Sequence, residues 1–498
     1  MSQQKSIVLV TVDCLRADHV GFMGYDRCTT PFLDSLAAES FVVPAAIVAG
    51  APTYYSFPAI LASRYPLALG RDVLGLAPGE VALASVLQQS GYATAAFSAA
   101  NPYISSRFGY RQGFDTFEDF LAGETLPELE QRPPSNPTRR RRINQKLQQL
   151  RGVMGPLRLV YDELYFQYCQ RAAPQPGPLD ALRRFPAADI IVDRACEWLR
   201  SAGERPAFLW LHLMDPHSPY YPKPEALEMM ESNVMTASRA RYLNSYWNRS
   251  DLGPSRLAHH RDSILGLYDA GIRWVDTQLA RLIETLRQSG RWEDCIFALT
   301  ADHGEEFLDH GGRYHPPSHL AEELIRVPLL VRIPGAAKRE VSKSPFSMIH
   351  LAPTLLDAAR LTAPRSFRGR SCFPQLQCGE TFEAPAISEC VSGCTNPFSR
   401  KSRLGSRVLS VREARFKLVV HFDSRTENLY DLESDAGEQA PLAADAEKAV
   451  RRRLLAIARA HLTQSARELN GIDRVRALLR DLQLEWNAPA GRSLPVAP

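Results

Sequence analysis

Carboxylate and imidazole side chains follow three strand-like segments of the chain, and these side-chain types are suited to binding a divalent cation. Asp13 follows one segment, Asp215 and His217 follow another, and Asp302 and His303 follow a third. A single Asp at such a position can equally cap the next helix. Three together favour a common site, in which Asp13, Asp302 and His303 offer the oxygen and nitrogen ligands that Ca, Mg, Mn or Zn accept.

The segments that carry these residues alternate between strand-like and helix-like patterns. Continuous apolar runs rich in β-branched residues predict buried parallel strands. The chain has five such runs, at 6–13, 92–99, 206–214, 295–301 and 327–334. Amphipathic stretches predict helices at 29–40, 81–91 and 265–290. This alternation predicts an α/β fold, whose functional groups gather at the carboxyl ends of the strands.

Five sequence blocks occur in a fixed order along the chain: VTVDCLRADHVGFMGY, ILASRYPLALG, LWLHLMDPHSPYYP, TADHGEEFLDHGG followed by EELIRVPLLV, and FKLV with LYDLESDAGE. In content and order they resemble the sulfatase family of the alkaline-phosphatase superfamily. The resemblance extends over about residues 5–440, apart from two insertions. It implies an alkaline-phosphatase-like, mixed and mainly parallel sheet flanked by helices, with a smaller C-terminal α+β subdomain.

The nucleophile of this family lies in a Cys-x-Pro-Ser-Arg pattern before a helix. Counting back from Arg64–Pro66 places Thr53 at the cysteine position and Phe57 at the arginine position. Formylglycine, the oxidised cysteine of sulfatases, is therefore not expected here. Ser56, within Ser-Phe-Pro, imitates the pattern at the wrong distance and is a minor candidate. The resemblance thus implies Thr53 as the nucleophile, in a segment that Phe57 indicates is packed.

A threonine nucleophile restricts the chemistry. Its hydroxyl needs activation, which a divalent metal ion can provide. A formylglycine hydrate releases sulfate by collapsing to an aldehyde, whereas a Thr53 adduct must be attacked by water or by an acceptor alcohol. The sequence therefore favours phosphate or phosphonate esters over sulfate esters, with hydrolysis and transfer both open. The alternative from another class is a non-catalytic member that binds a metal and an anion.

The resemblance implies roles for further residues. One divalent metal ion is expected on Asp13, Thr53, Asp302 and His303. His217 matches the histidine that protonates or orients the leaving group, a task suited to an imidazole.

Three more assignments keep alternatives open. His315 matches the anion-binding residue that follows the DHG motif, with His310 and His319 as rivals. Asn101 either contacts the ester oxygens or forms an Asn-Pro turn. Cys14 follows Asp13 and is either a ligand or an inert buried thiol. His212 is interpreted as a packed core histidine.

Composition changes along the chain predict its organisation. A Pro- and Arg-rich stretch at about 121–180 and a polar one at 223–260 interrupt the α/β pattern and are predicted to be insertions. Short strands and turns begin at about 340. We therefore predict a catalytic domain over 1–340 and a smaller C-terminal subdomain with a helical tail over 341–498.

The bulk composition excludes several classes of protein. With 59 Lys+Arg against 55 Asp+Glu in 498 residues, the net charge is +4, too small to indicate nucleic acid or a membrane surface as partner. The basic run Arg139–Arg142 is interpreted as a solvated loop, with RNA or anionic-polymer contact as the alternative. The polar start, the lack of a membrane span and nine cysteines without zinc spacing predict a cytoplasmic protein. The family resemblance implies a small anionic ester as its substrate. The oligomeric state stays open.

Overall fold

The computed structural model describes residues 4–121, 157–173, 176–232, 236–336 and 341–486. Its strands are β1 (Ser6–Val12), β2 (Phe41–Val42), β3 (Ala46–Ile47), β4 (Ala93–Ser98), β5 (Thr116–Glu118), β6 (Ala207–Leu213), β7 (Cys295–Ala301), β8 (Glu306–Phe307), β9 (Arg313–Tyr314), β10 (Arg326–Val327), β11 (Leu329–Arg332), β12 (Phe346–Ser347), β13 (Ala386–Val391), β14 (Arg407–Glu413), β15 (Phe416–His421) and β16 (Thr426–Asp431).

The helices pack around these strands. They are α1 (Pro31–Ala37), α2 (Thr53–Ala62), α3 (Leu83–Gln89), α4 (Leu157–Ala172), α5 (Ala188–Ser201), α6 (Pro224–Met229), α7 (Ala237–Trp247), α8 (Pro254–Leu257), α9 (Arg261–Gln288), α10 (Glu322–Ile325), α11 (Leu351–Ala358), α12 (Phe373–Cys378) and α13 (Lys448–Trp486). None of these described helices is both long enough and apolar enough to cross a membrane.

A seven-stranded mixed sheet forms the centre, in the order β2-β11-β7-β1-β6-β4-β5. The five strands from β7 to β5 run parallel to one another. All seven residues of β1 are buried, which is the pattern of a strand covered on both faces. The predicted fold class is confirmed: a mixed, mainly parallel sheet flanked by helices.

One strand prediction is wrong in direction. The run at 327–334 was expected to be parallel, but β11 is antiparallel to β7, with Leu330 opposite Leu299. The connection from β7 to β11 holds β8, β9, α10 and β10, and it returns the chain to the sheet in the direction opposite to β7. Burial on both faces makes the two orientations look alike in sequence.

The C-terminal part is a four-stranded antiparallel sheet, β13-β14-β15-β16, with α13 packed on β14 and β15. This confirms the α+β subdomain. A fully buried Lys417 on β15 joins it to the main domain, since its ammonium lies 3.3 Å from Glu322 of α10 and 2.9 Å from Glu438. The boundary near 340 stays a prediction.

The two predicted insertions differ in what the structure describes. The stretch at 223–260 holds the three helices α6, α7 and α8. Most of the other stretch, including Arg139–Arg142, lies outside the described residues.

Candidate functional site

The parallel strands bring their carboxyl ends to one edge of the sheet. The last residue of β1, Val12, is level with Leu213 of β6 and Ala301 of β7. The residues that follow these strands therefore meet in space. We call Asp13, Thr53, Asp302 and His303 the strand-end cluster.

Thr53 is the first residue of α2 and is 3% exposed. Its Oγ1 lies 3.1 Å from Nε2 of His303. The other ring nitrogen, Nδ1, lies 2.8 Å from the carbonyl oxygen of Gly304, which can only accept a hydrogen bond. The neutral ring therefore carries its proton on Nδ1, and Nε2 accepts from the Thr53 hydroxyl. The start of a helix such as α2 also presents backbone N–H groups and the positive end of the helix dipole, which favour an anion.

The two carboxylates of the cluster are fully buried. Oδ2 of Asp302 lies 3.5 Å from His303 Nε2, and Oδ1 of Asp13 lies 3.7 Å from the same nitrogen. Burial and the charge of Asp13 raise the pKa of Asp302. Burial also raises the pKa of Asp13, but the neighbouring imidazoles, His217 foremost, hold it well below its usual range.

A divalent cation fits this arrangement. Oδ2 of Asp302 has no hydrogen-bond partner among the described residues, although it is buried beside a second carboxylate. An unpaired buried carboxylate oxygen is costly, and a cation bound there would remove that cost. The ion's identity is left open by these oxygen and nitrogen donors.

Asn101 orients Asp13, and His212 lies beside the same carboxylate. Nδ2 of Asn101 donates to Asp13 Oδ2 at 2.9 Å, while its Oδ1 accepts from the backbone of Tyr103. Nδ2 carries a second N–H and Asn101 lines the cavity in front of Thr53, so its contact with ester oxygens stays a prediction. His212 Nε2 lies 3.3 Å from Asp13 Oδ2.

His212 is held in one tautomer. The hydroxyl of Thr11 donates to the carbonyl of Leu211 and accepts from Trp210 Nε1. Its proton is used, so Nδ1 of His212, 3.0 Å away, must be a donor to the same hydroxyl. His212 is thus buried, as interpreted, but it also belongs to the surroundings of Asp13. The sequence signal that could have indicated this position beside Asp13 is a histidine inside an otherwise apolar strand.

His217 and His315 stand together at the mouth of the site, with ring centroids 5.2 Å apart. Nδ1 of His217 donates to the Ser218 carbonyl at 2.5 Å, which leaves Nε2 for proton exchange with a ligand. Nδ1 of His315 lies 3.1 Å from Glu305, a fully buried carboxylate that sequence reasoning did not single out. Burial raises the pKa of Glu305, but the His315 imidazole lowers it further, so its net pKa is depressed.

Cys14 lies between these groups as a protonated thiol. Its Sγ donates to Asp13 Oδ1 at 3.0 Å and lies 3.5 Å from His315 Nδ1. Burial and the charge of Glu305 raise the pKa of the thiol well above its usual range. The thiol also lies within ligand distance of Asp13 and His303, so both alternatives for Cys14 stay open.

A cavity of about 410 Å³ opens in front of Thr53. It is lined by the two mouth histidines and by aromatic rings, those of Tyr54, Tyr103 and Phe185 among them. The space is polar at the reacting end and aromatic elsewhere, as expected of a small-molecule site.

Several other predicted residues lie elsewhere. Asp215 is paired with Arg183 at 2.7 Å. His310 and His319 lie in a separate cluster with Glu306 and Glu323.

The neighbours of Thr53 on α2 do not share its contacts. Phe57 is fully buried, as predicted, with its ring 5.1 Å from that of His212. Ser56 Oγ is buried without a hydrogen-bond partner among the described residues.

Comparisons with known proteins show the family to which the chain belongs. Residues 5–361 match the sulfatase family, and residues 312–463 match the C-terminal region of N-sulphoglucosamine sulphohydrolase. Arylsulfatase K of Bos taurus is 26% identical over 292 residues, which cover 51% of each chain. An arylsulfatase of Clostridium perfringens is 23% identical over 399 residues, covering 74% of this chain and 77% of that one.

A solved structure shares the fold. The phosphonate monoester hydrolase of Agrobacterium radiobacter superposes with a TM-score of 0.62 at 21% identity, covering 94% of this chain and 96% of that one. The chain spans about half the length of its bovine relative. Because the family match at residues 5–361 extends over well above half of its length, this chain belongs to the sulfatase family.

Proposed function

We propose that this protein cleaves a phosphate, phosphonate or sulfate ester with Thr53 as its nucleophile. The observation that carries the proposal is the position of the Thr53 hydroxyl. It lies at the start of α2, 3.1 Å from His303 Nε2, in a cluster with two buried carboxylates. Relatives named as arylsulfatases and a structural neighbour named as a phosphonate monoester hydrolase support this class of reaction.

One divalent metal ion belongs to the proposal. Asp13, Asp302 and His303, with the Thr53 oxygen, would hold it. When bound, such an ion polarises the ester and lowers the pKa of the attacking hydroxyl. His303 Nε2 has one lone pair. In the metal-free protein it accepts a hydrogen bond from the Thr53 hydroxyl, and in the metal-bound protein the same lone pair would bind the ion.

The reaction has two displacements. Thr53 Oγ1 gives its proton to solvent water and forms a bond to phosphorus or sulfur as the ester P–O or S–O bond breaks. Protonated His217 gives its Nε2 proton to the departing oxygen. Neutral His217 then takes a proton from a second water, whose oxygen attacks the Thr53 adduct. The bond between Oγ1 and phosphorus or sulfur breaks, the acid leaves, and Thr53 Oγ1 takes a proton from solvent.

Adduct breakdown favours phosphorus over sulfur. A threonine adduct has no second hydroxyl on its carbon, so it cannot expel sulfate by forming an aldehyde. Water or an alcohol must instead attack the phosphorus or sulfur atom and displace Thr53 from it, as happens in phosphoryl enzymes that use threonine. Phosphate or phosphonate esters are therefore the preferred substrates, with sulfate esters second. An acceptor alcohol in place of water would make the protein a transferase.

The test is turnover of aryl phosphate, phosphodiester, phosphonate and sulfate esters with Mg, Ca, Mn and Zn. Wild-type protein is compared with Thr53→Ala and with Ser56→Ala as the matched control on the same helix. We expect Thr53→Ala alone to abolish turnover, and intact-mass spectrometry to detect a phospho- or sulfo-adduct on Thr53. Equal negligible rates for all three proteins, with metal bound, would favour the non-catalytic metal- and anion-binding alternative.

A further inference from the structure

A second group of carboxylates and imidazoles lies on the segment that follows β7. Glu306 on β8, His310 and His319 in the following loops, and Glu323 on α10 each offer one ligand atom, and these atoms all lie within 4.8 Å of one another. We call these four residues the loop cluster. The ester reaction proposed above uses none of them.

Two atoms of the loop cluster face each other without a hydrogen-bond partner. Glu306 is fully buried, and its Oε1 accepts backbone N–H groups from His310 at 3.0 Å and Gly312 at 2.7 Å. Its Oε2 has no hydrogen-bond partner among the described residues, and neither does His319 Nε2, 3.4 Å away. A buried carboxylate oxygen in this state needs a cation beside it, which a metal ion or a protonated His319 can provide.

One nitrogen of each imidazole is held by an oxygen atom outside the cluster. His310 Nε2 lies 3.4 Å from the backbone carbonyl of Glu438, while its Nδ1 faces Glu323 Oε1 within the cluster at 2.7 Å. His319 Nδ1 lies 3.1 Å from Ser318 Oγ. Histidines that ligate a metal through one nitrogen usually have the other held in this way, which fixes the ring.

The separation of Glu306 Oε2 and His319 Nε2 matches a tetrahedral zinc site, whereas His310 Nδ1 and Glu323 Oε1, 2.7 Å apart, would have to separate to admit the ion. Zinc bonds of about 2.0–2.1 Å place neighbouring ligand atoms roughly 3.3–3.5 Å apart. Oε2 of Glu306 and Nε2 of His319 lie 3.4 Å apart, and the same nitrogen lies 3.8 Å from Glu323 Oε1. Two imidazoles and two carboxylates form a donor set that zinc accepts better than calcium or magnesium does.

The site is open enough for an ion to enter. The side chains of His310 and His319 are 25% and 26% exposed, whereas those of Glu306 and Glu323 are 0% and 7% exposed. A Cβ atom on Gly312 would lie 2.5 Å from Glu306 Oε2, so only glycine lets the chain pass this close to the carboxylate.

The loop cluster is separate from the strand-end cluster. Glu305, the neighbour of Glu306, binds His315 and Tyr220 in the first site, and adjacent residues of an extended chain project to opposite sides. We propose that Glu306, His310, His319 and Glu323 bind a structural Zn²⁺ ion, which fastens the segment carrying His315 to α10. This inference goes beyond the proposed ester cleavage.

The test measures how many zinc ions bind per chain to full-length protein from which metal has been removed with a chelator. Asp302→Asn serves as the background, because it disables the first metal site. We expect it to bind one zinc ion per chain by calorimetry and elemental analysis, and to gain thermal stability from zinc. Adding His319→Ala or Glu306→Gln should weaken this binding at least about 100-fold, since each removes a direct ligand. His259→Ala, an exposed histidine outside the cluster, is the matched control and should leave binding unchanged.

Two outcomes would overturn the proposal. One is an Asp302→Asn protein that binds no zinc, in which case the four residues form an ion-pair network only. The other is zinc binding of parental affinity in both double variants. Circular dichroism identifies a variant that has not folded. If the His319→Ala variant does not fold, the zinc affinity of the Glu306→Gln variant, which keeps the shape of the side chain, decides between the outcomes. Ester turnover by the wild type with magnesium is measured separately, so either proposal can fail alone.

Discussion

The strand-end cluster and the loop cluster combine the same side-chain types in different surroundings. The strand-end residues come from three distant segments, and Thr53, Asp302 and His303 are at most 3% exposed. The loop cluster comes from one segment of the chain, and its imidazoles are about a quarter exposed. The difference in burial suits the two clusters to different tasks. The strand-end cluster is deeply buried and has an unpaired carboxylate oxygen, so it can activate a bound ester. The loop cluster is partly exposed and its carboxylates lie beside imidazoles, so it is suited to holding a loop in place.

Thr53→Ala should have the largest effect, because it removes the atom that attacks the ester. We expect kcat to fall by about 10³-fold or more, with little change in stability. Zinc binding at the loop cluster should not change. Steady-state kinetics on a phosphonate ester and zinc calorimetry check this prediction. If Ser56→Ala lost as much activity as Thr53→Ala, the assignment of the nucleophile would be wrong.

Asp302→Asn should separate activity from stability. It removes a charge needed for the metal ion, so turnover should fall by roughly 10²-fold or more and metal affinity at that site should drop. The free energy of unfolding of the metal-free protein should stay equal or rise, because a fully buried charge with an unpaired oxygen is lost. Urea unfolding measures this, and a large loss of stability would contradict it.

His350 provides a reference imidazole that none of the described carboxylates hydrogen-bonds. Burial and the charge of Arg370 lower its pKa to about 4. Its pKa is thus depressed in the folded protein, and the stability it contributes is full above about pH 6.5 and is lost as pH falls towards 4. At pH 5 we expect a loss on the order of 2 kcal/mol relative to pH 7.

The control for this pH dependence is His350→Gln, which cannot titrate in this range. Urea unfolding of both proteins at pH 7 and pH 5 gives the comparison. An equal loss in both proteins would show that His350 does not carry the effect.

Gly312→Ala should have the smallest effect and should be confined to the loop cluster. The added methyl group would displace the Glu306 carboxylate, which is the end of a flexible side chain and can shift. We expect about a tenfold loss in zinc affinity and a stability change of about 1 kcal/mol. The neighbouring substitution Gly311→Ala is not a suitable control, because Gly311 has a positive φ of 81° and any other residue would be strained there. Unchanged zinc affinity would indicate that the carboxylate is not a ligand.

Much of the fold followed from the sequence because its signals are local. The run at 6–13 and the helical pattern at 265–290 became β1 and α9 with small changes at their ends. The direction of β11 did not follow, since burial on both faces gives the same residue pattern for either orientation.

The site was partly predictable for the same reason. Strand ends predicted that Asp13, Asp302 and His303 would meet, the family resemblance added Thr53, and the structure brings the four together. Their catalytic and metal-binding roles stay predictions.

Two features could not be predicted from spacing. Asn101 faces Asp13 because its side chain turns towards the sheet, which no motif encodes. The loop cluster joins residues separated by a turn and a loop, and the sequence offered His310 and His319 only as rivals of His315. Side-chain direction in irregular segments depends on tertiary packing.

The buried ammonium of Lys417 makes the two parts of the chain interdependent. It lies between the carboxylates of Glu322, in the main domain, and Glu438, after β16. A fragment ending near residue 340 would retain Glu322 while losing its cations, Lys417 and Arg412 among them. The C-terminal sheet is therefore not an exchangeable module, and calorimetry of the whole chain should show one cooperative transition, without a separate melt of either part.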